Sequence, residues 1–161
     1  MHDKLYRSES LTSINFGSYL TDLVTQLVRA GGYDPAVDLQ FSVADINFPV
    51  DNAITCGLII NELVGNSLKH ASAASPALKV SLAREEGDIA ISIWDNGTAP
   101  LDPDIIELPK TLGLNLVKTL SRQLGGTVLL HRNGGTEFKV VLPKCILDEE
   151  DTPPTRANVA A

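Results

Sequence analysis

Cysteine, aromatic side chains, positive charge and long apolar runs are all scarce in this chain of 161 residues. Its two cysteines, Cys56 and Cys145, fall in an apolar helical pattern and at a strand end. That spacing suits neither a disulfide framework nor a metal site, so both thiols are expected to be reduced. Thirteen lysines and arginines face 20 acidic residues, for a net charge of −7. Nonspecific binding of nucleic acid needs a basic surface and is excluded. Nucleotide binding is not, since it needs only local positive groups and backbone donors. No apolar run approaches the roughly 18 residues that a membrane span requires. The opening Met1-His2-Asp3-Lys4 is too polar for a signal peptide. A cytoplasmic protein without a membrane partner is expected. The start resembles the end of a helix, which suggests a fragment.

What is present is ordinary globular material, 43% hydrophobic and 20% charged, enough for one domain with a real core. Met1 to Ser10 reads as the tail of a helix, followed by an extended link anchored by Ile14 and Phe16. Tyr19, Leu20, Leu23, Val24, Leu27 and Val28 recur at helical spacing. They predict a helix from Ser18, as N-cap, to Ala30, stopped by Gly31-Gly32. Val37, Leu39, Phe41 and Val43 alternate as in a half-buried strand. A long helix is predicted from about Val50 to Ser72. A hairpin follows, Leu78–Arg84 and Asp88–Trp94, turning at Glu86-Gly87. The segment from Asn96 to Thr111 is irregular and proline-bearing, with room for a helical turn near Asp104 to Glu107. A helix from Gly113 to Leu124 and a second hairpin, Thr127–His131 with Thr136–Leu142, complete the pattern. The acidic, proline-bearing tail from Asp148 to Ala161 is expected to be disordered. This order predicts an α+β fold with a mixed, mostly antiparallel sheet and helices on one face.

The densest chemistry lies in Asn61-Glu62-Leu63-Val64-Gly65-Asn66-Ser67-Leu68-Lys69-His70. On a helix, Glu62, Asn66, Lys69 and His70 share an arc of about 100°, while Ile60, Val64 and Leu68 take the other side. One face suits a core; the other offers a metal ligand, a base and two cations. Three glycine-marked segments accompany it. Asp95-Asn96-Gly97-Thr98-Ala99 follows an apolar strand, where an aspartate can accept from an exocyclic amine and glycine lets a flat ring approach. Thr111-Leu112-Gly113-Leu114 opens a helix whose free N–H groups suit an anion. Gly134-Gly135-Thr136 turns a hairpin and carries a hydroxyl. Each alone also fits a plain turn, cap or solvated face; their conjunction carries the argument.

Together these segments resemble the catalytic ATP-binding domain of sensor histidine kinases, in the gyrase, Hsp90, histidine kinase and MutL superfamily. Asn61 to His70 resembles the N box, Asp95 to Ala99 the G1 box, Leu112-Gly113-Leu114 the G2 box, and Gly135-Thr136 the final Gly-Thr element. The N-box form is similar to the subgroup whose phosphoacceptor domain is called HisKA_2, close to the HWE kinases. The resemblance implies a two-layer α/β sandwich of the Bergerat type. It implies ATP and Mg²⁺ as cofactors, with Asn66 as metal ligand. Asp95, Gly97, Ala99, Leu112, Gly113, Leu114 and Thr136 would bind nucleotide alongside Asn66. Lys69 and His70 would contact phosphates, and Glu62 would orient a group or assist proton transfer. Ala99 departs from the family's second glycine, and the short segment before Thr111 implies a reduced lid. Residues 1–30 would end a dimerisation and phosphoacceptor region, residues 31–146 would form the ATP-binding domain, and residues 147–161 a tail.

The phosphoacceptor histidine is expected outside this chain, since neither His2, His70 nor His131 has the expected setting. Expected partners are that histidine domain and a response regulator. A degenerate histidine-phosphotransfer module and an anti-sigma factor serine kinase are the alternative readings.

Overall fold

The computed structural model describes residues 12–33, 36–132 and 134–147. The expected helix tail before Ser10 and the tail after Asp148 lie outside them. Chain order runs β1 (Ser13–Asn15), α1 (Phe16–Ala30), β2 (Asp38–Val43), β3 (Asn47–Pro49), α2 (Val50–His70), β4 (Ala77–Glu85) and β5 (Asp88–Asp95). It continues with α3 (Leu112–Gln123), β6 (Thr127–Arg132), β7 (Thr136–Leu142) and a 3-10 turn at Lys144–Leu147. The main sheet has five strands in the order β2-β4-β5-β7-β6. β2 joins β4 in parallel and every other pair is antiparallel. The expected α+β architecture, a mixed sheet under helices, is therefore present.

Strand periodicity decides which face is covered. In β5, Ile89, Ile91, Ile93 and Asp95 point toward the helices, and Ala90, Ser92 and Trp94 point away. The three isoleucines are at most 1% exposed, each burial stabilising by about 1.5–3 kcal/mol. Leu78, Val80 and Leu82 on β4 and Phe138, Val140 and Leu142 on β7 extend that layer. Ile60, Val64 and Leu68 of α2 meet it from above, as the apolar side of that helix requires. On the uncovered face Lys79 lies over the Trp94 ring, 4.7 Å from its centroid.

Two local expectations are corrected. Ser18 is not the cap of α1: Asn15 is, its Oδ1 accepting from the Ser18 N–H at 2.9 Å, so the helix begins at Phe16. Phe16 is thus a helical core residue and not part of an extended link. β1 and β3 pair as a separate two-stranded sheet that the sequence did not signal. Three residues each are too few for a period to emerge, and what holds them is distant. Phe16 stacks on Phe48 with ring centroids 4.1 Å apart, and Asn52 donates to the Ile146 carbonyl at 2.8 Å. The β4–β5 turn behaves as read, with Glu86 and Gly87 both at positive φ, 50° and 89°.

Both cysteine thiols are free. Cys56 is buried in α2, and burial pushes its thiol up to about 12, which leaves it protonated and unreactive.

Candidate functional site

The C-terminal half of α2, the end of β5, the start of β7 and the start of α3 meet around one cavity, roofed by residues 96–111. The cavity is about 80 Å³. Asn66, His70, Asp95, Gly97, Ala99, Leu114 and Thr136 line it. These were singled out in sequence on four separate segments, and the fold brings them together. Pro100, Leu101, Ile105, Thr111 and Phe138 complete the wall. Glu62, Lys69, Leu112 and Gly113 stand outside it.

Helix geometry places Asn66 and His70 one turn apart on α2, both toward the cavity. The Asn66 amide has no hydrogen-bond partner among the described residues, so its oxygen is free to bind a ligand. Ser67, the next residue, is 1% exposed. Its hydroxyl lies outside strict hydrogen-bonding geometry yet near enough to Asp95 to favour the charged carboxylate.

Asp95 is the deepest charge in the site, 1% exposed. Burial raises its carboxyl above the ordinary aspartate range. The Gly97 N–H, the Ser67 hydroxyl and the positive fields of His70 and Arg132 oppose that rise. Gly97 N–H donates to Asp95 Oδ1 at 2.8 Å, leaving the other carboxylate oxygen for a ligand donor.

The glycines have reasons that spacing alone did not reveal. A Cβ on Gly97 would lie 1.8 Å from the His70 carbonyl oxygen, so this glycine lets the strand end pass the end of α2. A Cβ on Gly113 would lie 2.4 Å from Glu62 Oε1. Gly113 therefore makes room for a carboxylate of this chain beside the start of α3. There Thr111 Oγ1 accepts from the Leu114 N–H at 3.1 Å. The N–H groups of Leu112 and Gly113 find no acceptor among the described residues, as the first turn of a helix dictates. A Cβ on Gly135 would lie 2.1 Å from the Asp95 carbonyl, which locks the β6–β7 turn against β5.

The neighbouring Asn96 ties the site to the α2–β4 loop. Its Oδ1 accepts from the N–H groups of Ser72 and Ala77, at 3.0 and 3.1 Å, and its amide donates to the Ser75 carbonyl at 2.7 Å. Two cations hold the roof by its main chain: Arg132 donates to the Ala99 carbonyl and Lys118 to the Glu107 carbonyl. The helical turn expected near Asp104 is present, with Leu108 N–H bonded to the Asp104 carbonyl at 2.8 Å.

Sequence reasoning missed Ser67, Phe138 and Arg132. Phe138 had a signal, since it shares the inward period of β7 with Thr136. Arg132 had none, because its role depends on which strands are neighbours. Lys69 is exposed, and its ammonium has no partner among the described residues.

The arrangement joins a buried hydrogen-bond acceptor, a free amide oxygen, an imidazole and a helix N-terminus around an apolar slot. That combination suits a flat, amine-bearing ring at one end and an anion at the other.

Comparison with known proteins gives the same direction. Residues 51–146 match the family described as histidine kinase-, DNA gyrase B-, and HSP90-like ATPase. Among solved structures, the histidine kinase domain of the Erythrobacter litoralis EL346 blue-light activated histidine kinase superposes with a TM-score of 0.73 at 25% identity, covering 85% of this chain. The EL346 blue-light activated histidine kinase in a longer form gives 0.74 at 25% over 86%. This chain spans 66% of the first protein and 44% of the second. The mycobacterial sensor histidine kinase MprB, at 16% identity, shares the fold with a TM-score of 0.67 over 81% of this chain and 97% of its own. Among curated protein sequences none matches the chain.

Proposed function

The chain belongs to the histidine kinase-, DNA gyrase B-, and HSP90-like ATPase family, and from that premise we propose that it is the ATP-binding catalytic domain of a two-component sensor histidine kinase. The observation that carries the reading is the meeting of Asn66, Asp95 and Thr136, from a helix and two strands, in one cavity. In this reading Asp95 accepts from the adenine amine, and its burial makes the site selective for a ring that brings a donor. The triphosphate runs toward α3, where the free N–H groups of Leu112 and Gly113 and the side chains of Lys69 and His70 offset its charge. Leu114 and Ala99 pack beside the bound nucleotide.

Mg²⁺ fits Asn66 by donor chemistry. The amide oxygen is a hard ligand without a partner. No group of three His, Cys, Asp or Glu among the described residues could hold a metal alone, so phosphate and water oxygens would complete the shell. When bound, the ion offsets charge on the phosphates. Glu62, four residues before Asn66, orients a group at the phosphate end. The phosphoacceptor is a histidine on a separate domain. Its ring nitrogen attacks the γ-phosphorus, the bond to the bridging oxygen breaks, and ADP leaves; a response regulator would then receive the phosphoryl group. The subgroup assignment rests on the Asn61–His70 motif.

The cavity of about 80 Å³ is well below the roughly 300 Å³ at which small-molecule sites begin. Nucleotide entry therefore requires residues 96–111 to move.

The test is calorimetric titration with a non-hydrolysable ATP analogue, with and without Mg²⁺, on the chain and on Asn66→Ala. The expected result is Mg²⁺-dependent binding that Asn66→Ala loses while its melting temperature holds. Absence of nucleotide binding by the unmodified chain overturns the proposal.

A further inference from the structure

The strand register places three residues in one row at the end of the sheet. Asp95 on β5 pairs with Thr136 on β7, and Thr136 pairs with Arg132 on β6. Cross-strand partners lie within about 5.5 Å of each other on one face. This row faces the helices, under the cavity. Arg132 Nη1 donates to Thr136 Oγ1, and Arg132 Nη2 donates to the Ala99 carbonyl of the roof.

A guanidinium has only donors and stays charged at every relevant pH. The Thr136 oxygen must therefore act as acceptor toward Arg132, and its own proton must point elsewhere. Thr136 is 5% exposed and lines the cavity. Its hydroxyl has no other partner among the described residues, so the proton is free to turn to the cavity side. The site then presents an acceptor at Asp95 beside a donor at Thr136.

The geometry points to Arg132 as a specificity-determining residue: by occupying a lone pair of the Thr136 oxygen it biases that hydroxyl toward donation, so that the row Asp95-Thr136-Arg132 favours the amine-and-ring-nitrogen edge of a 6-aminopurine over that of a 6-oxopurine. A 6-aminopurine offers a donor next to an acceptor, which complements the row. A 6-oxopurine offers an acceptor next to a donor, which opposes it at both positions. Arg132 touches neither ring atom; it acts through Thr136. Its second bond, to Ala99, ties the roof to the same guanidinium, so the closed roof and the set polarity arise together.

The inference rests on the nucleotide-binding reading, and the two fail differently. The probes are the triphosphates of adenosine and inosine, which differ in shape little and at this edge completely. Affinities are measured on the chain, Arg132→Met, Thr136→Val and the double variant, with melting temperatures recorded for each. The chain is expected to prefer ATP. Arg132→Met should shrink the ATP-to-ITP ratio by about tenfold, the size of one net hydrogen bond, because the freed hydroxyl can turn and accept from the inosine ring N–H. Thr136→Val should shrink it similarly, and the double variant should lose no more than either single change. Should Arg132→Met not fold, Arg132→Ala takes its place, and an unchanged ratio there or in Thr136→Val overturns the inference. Equal loss of both affinities in Arg132→Met, with the ratio kept, reduces Arg132 to a strap on the roof and also overturns it. If the unmodified chain binds both nucleotides without preference, the inference falls while the nucleotide site stands. If it binds neither, both fall.

Discussion

The floor of the cavity and its roof are built by opposite means. The floor is the β5–β7 ladder, paired from Ile89–Leu142 to Asp95–Thr136 without interruption, under side chains with almost no exposure. The roof, residues 96–111, has three prolines, Pro100, Pro103 and Pro109, and no regular element beyond a turn. Beyond the anchored ends at Asn96, Gly97 and Thr111, its main chain is tied to the rest of the domain by cationic side chains, Arg132 at Ala99 and Lys118 at Glu107. An ion pair between Lys110 and Asp102 at 3.2 Å and the apolar undersides of Leu101 and Ile105 add little more. The lesson is a division of labour. A floor change is therefore expected to act on whether the domain folds and what it recognises, and a roof change on how fast the site opens. Segments with few buried contacts supply the low end of the stability range, which is where moving parts come from.

The largest test of that division is Ile93→Ala on the floor. It should cost about 4 kcal/mol of stability, read by chemical denaturation, because the emptied space lies among rigid neighbours. A loss under 1 kcal/mol would mean the floor is no firmer than the roof. Next comes recognition. Asp95→Asn should lower ATP affinity by about 100-fold, on the scale of a charged hydrogen bond, while the protein melts no lower than before, since a buried charge has been removed. A stable variant that binds ATP unchanged would take Asp95 out of the floor's chemistry.

The same residue sets a pH dependence. Burial raises the Asp95 carboxyl above its ordinary 3.8, so the native state holds this proton more readily than the unfolded chain. Stability from this group is therefore greatest at low pH and declines as pH rises through the interval between 3.8 and the raised value. In the proposed reading nucleotide binding needs the carboxylate, so affinity should fall as pH drops through the raised value. Asp95→Asn should flatten the affinity profile in that interval, and an unaltered profile would take Asp95 out of the pH dependence.

Gly97→Ala probes the seam between the regions. The added methyl would meet the His70 carbonyl at 1.8 Å, and backbone cannot swing aside. About 2 kcal/mol of destabilisation is expected, with thermal melting as the measurement. The smallest effect belongs to the roof. Lys118→Met should change stability by less than about 0.5 kcal/mol, yet nucleotide should leave several-fold faster in a stopped-flow displacement. Unchanged release rates would show that this clasp does not restrain the roof.

Much of the floor was legible because its code is local. β5 announces itself by isoleucine at every second position, and α2 by a long apolar stripe beside a polar one. The positions around Asn66, Asp95 and Gly113 were legible as chemistry only together, through their order and spacing, since each alone also fits a plain turn, cap or solvated face. Asn15 as a cap was missed because Ser18 had the more familiar cap side chain at the start of the apolar period. β1 was foreseen only as an extended link at Ile14, and β3 not at all, because they are shorter than any period and owe their pairing to the Phe16–Phe48 stack across the chain.

The glycines mark the boundary between the two kinds of information. Their positions in the chain already signalled close approach, read as that of a flat ring at Gly97 and of an anion at Gly113. Gly97 clears a carbonyl of α2 and Gly113 clears the Glu62 carboxylate, and neither partner is near in sequence. The amino-acid order by itself determined the helices, the strands with a two-residue period, the class of fold and the residue types able to meet a nucleotide. Only the tertiary structure decided that Asp95, Thr136 and Arg132 stand in one row and that the roof is clasped from both sides. Periodicity is a property of neighbours along the chain, whereas strand order and register are settled by burying all the apolar faces at once.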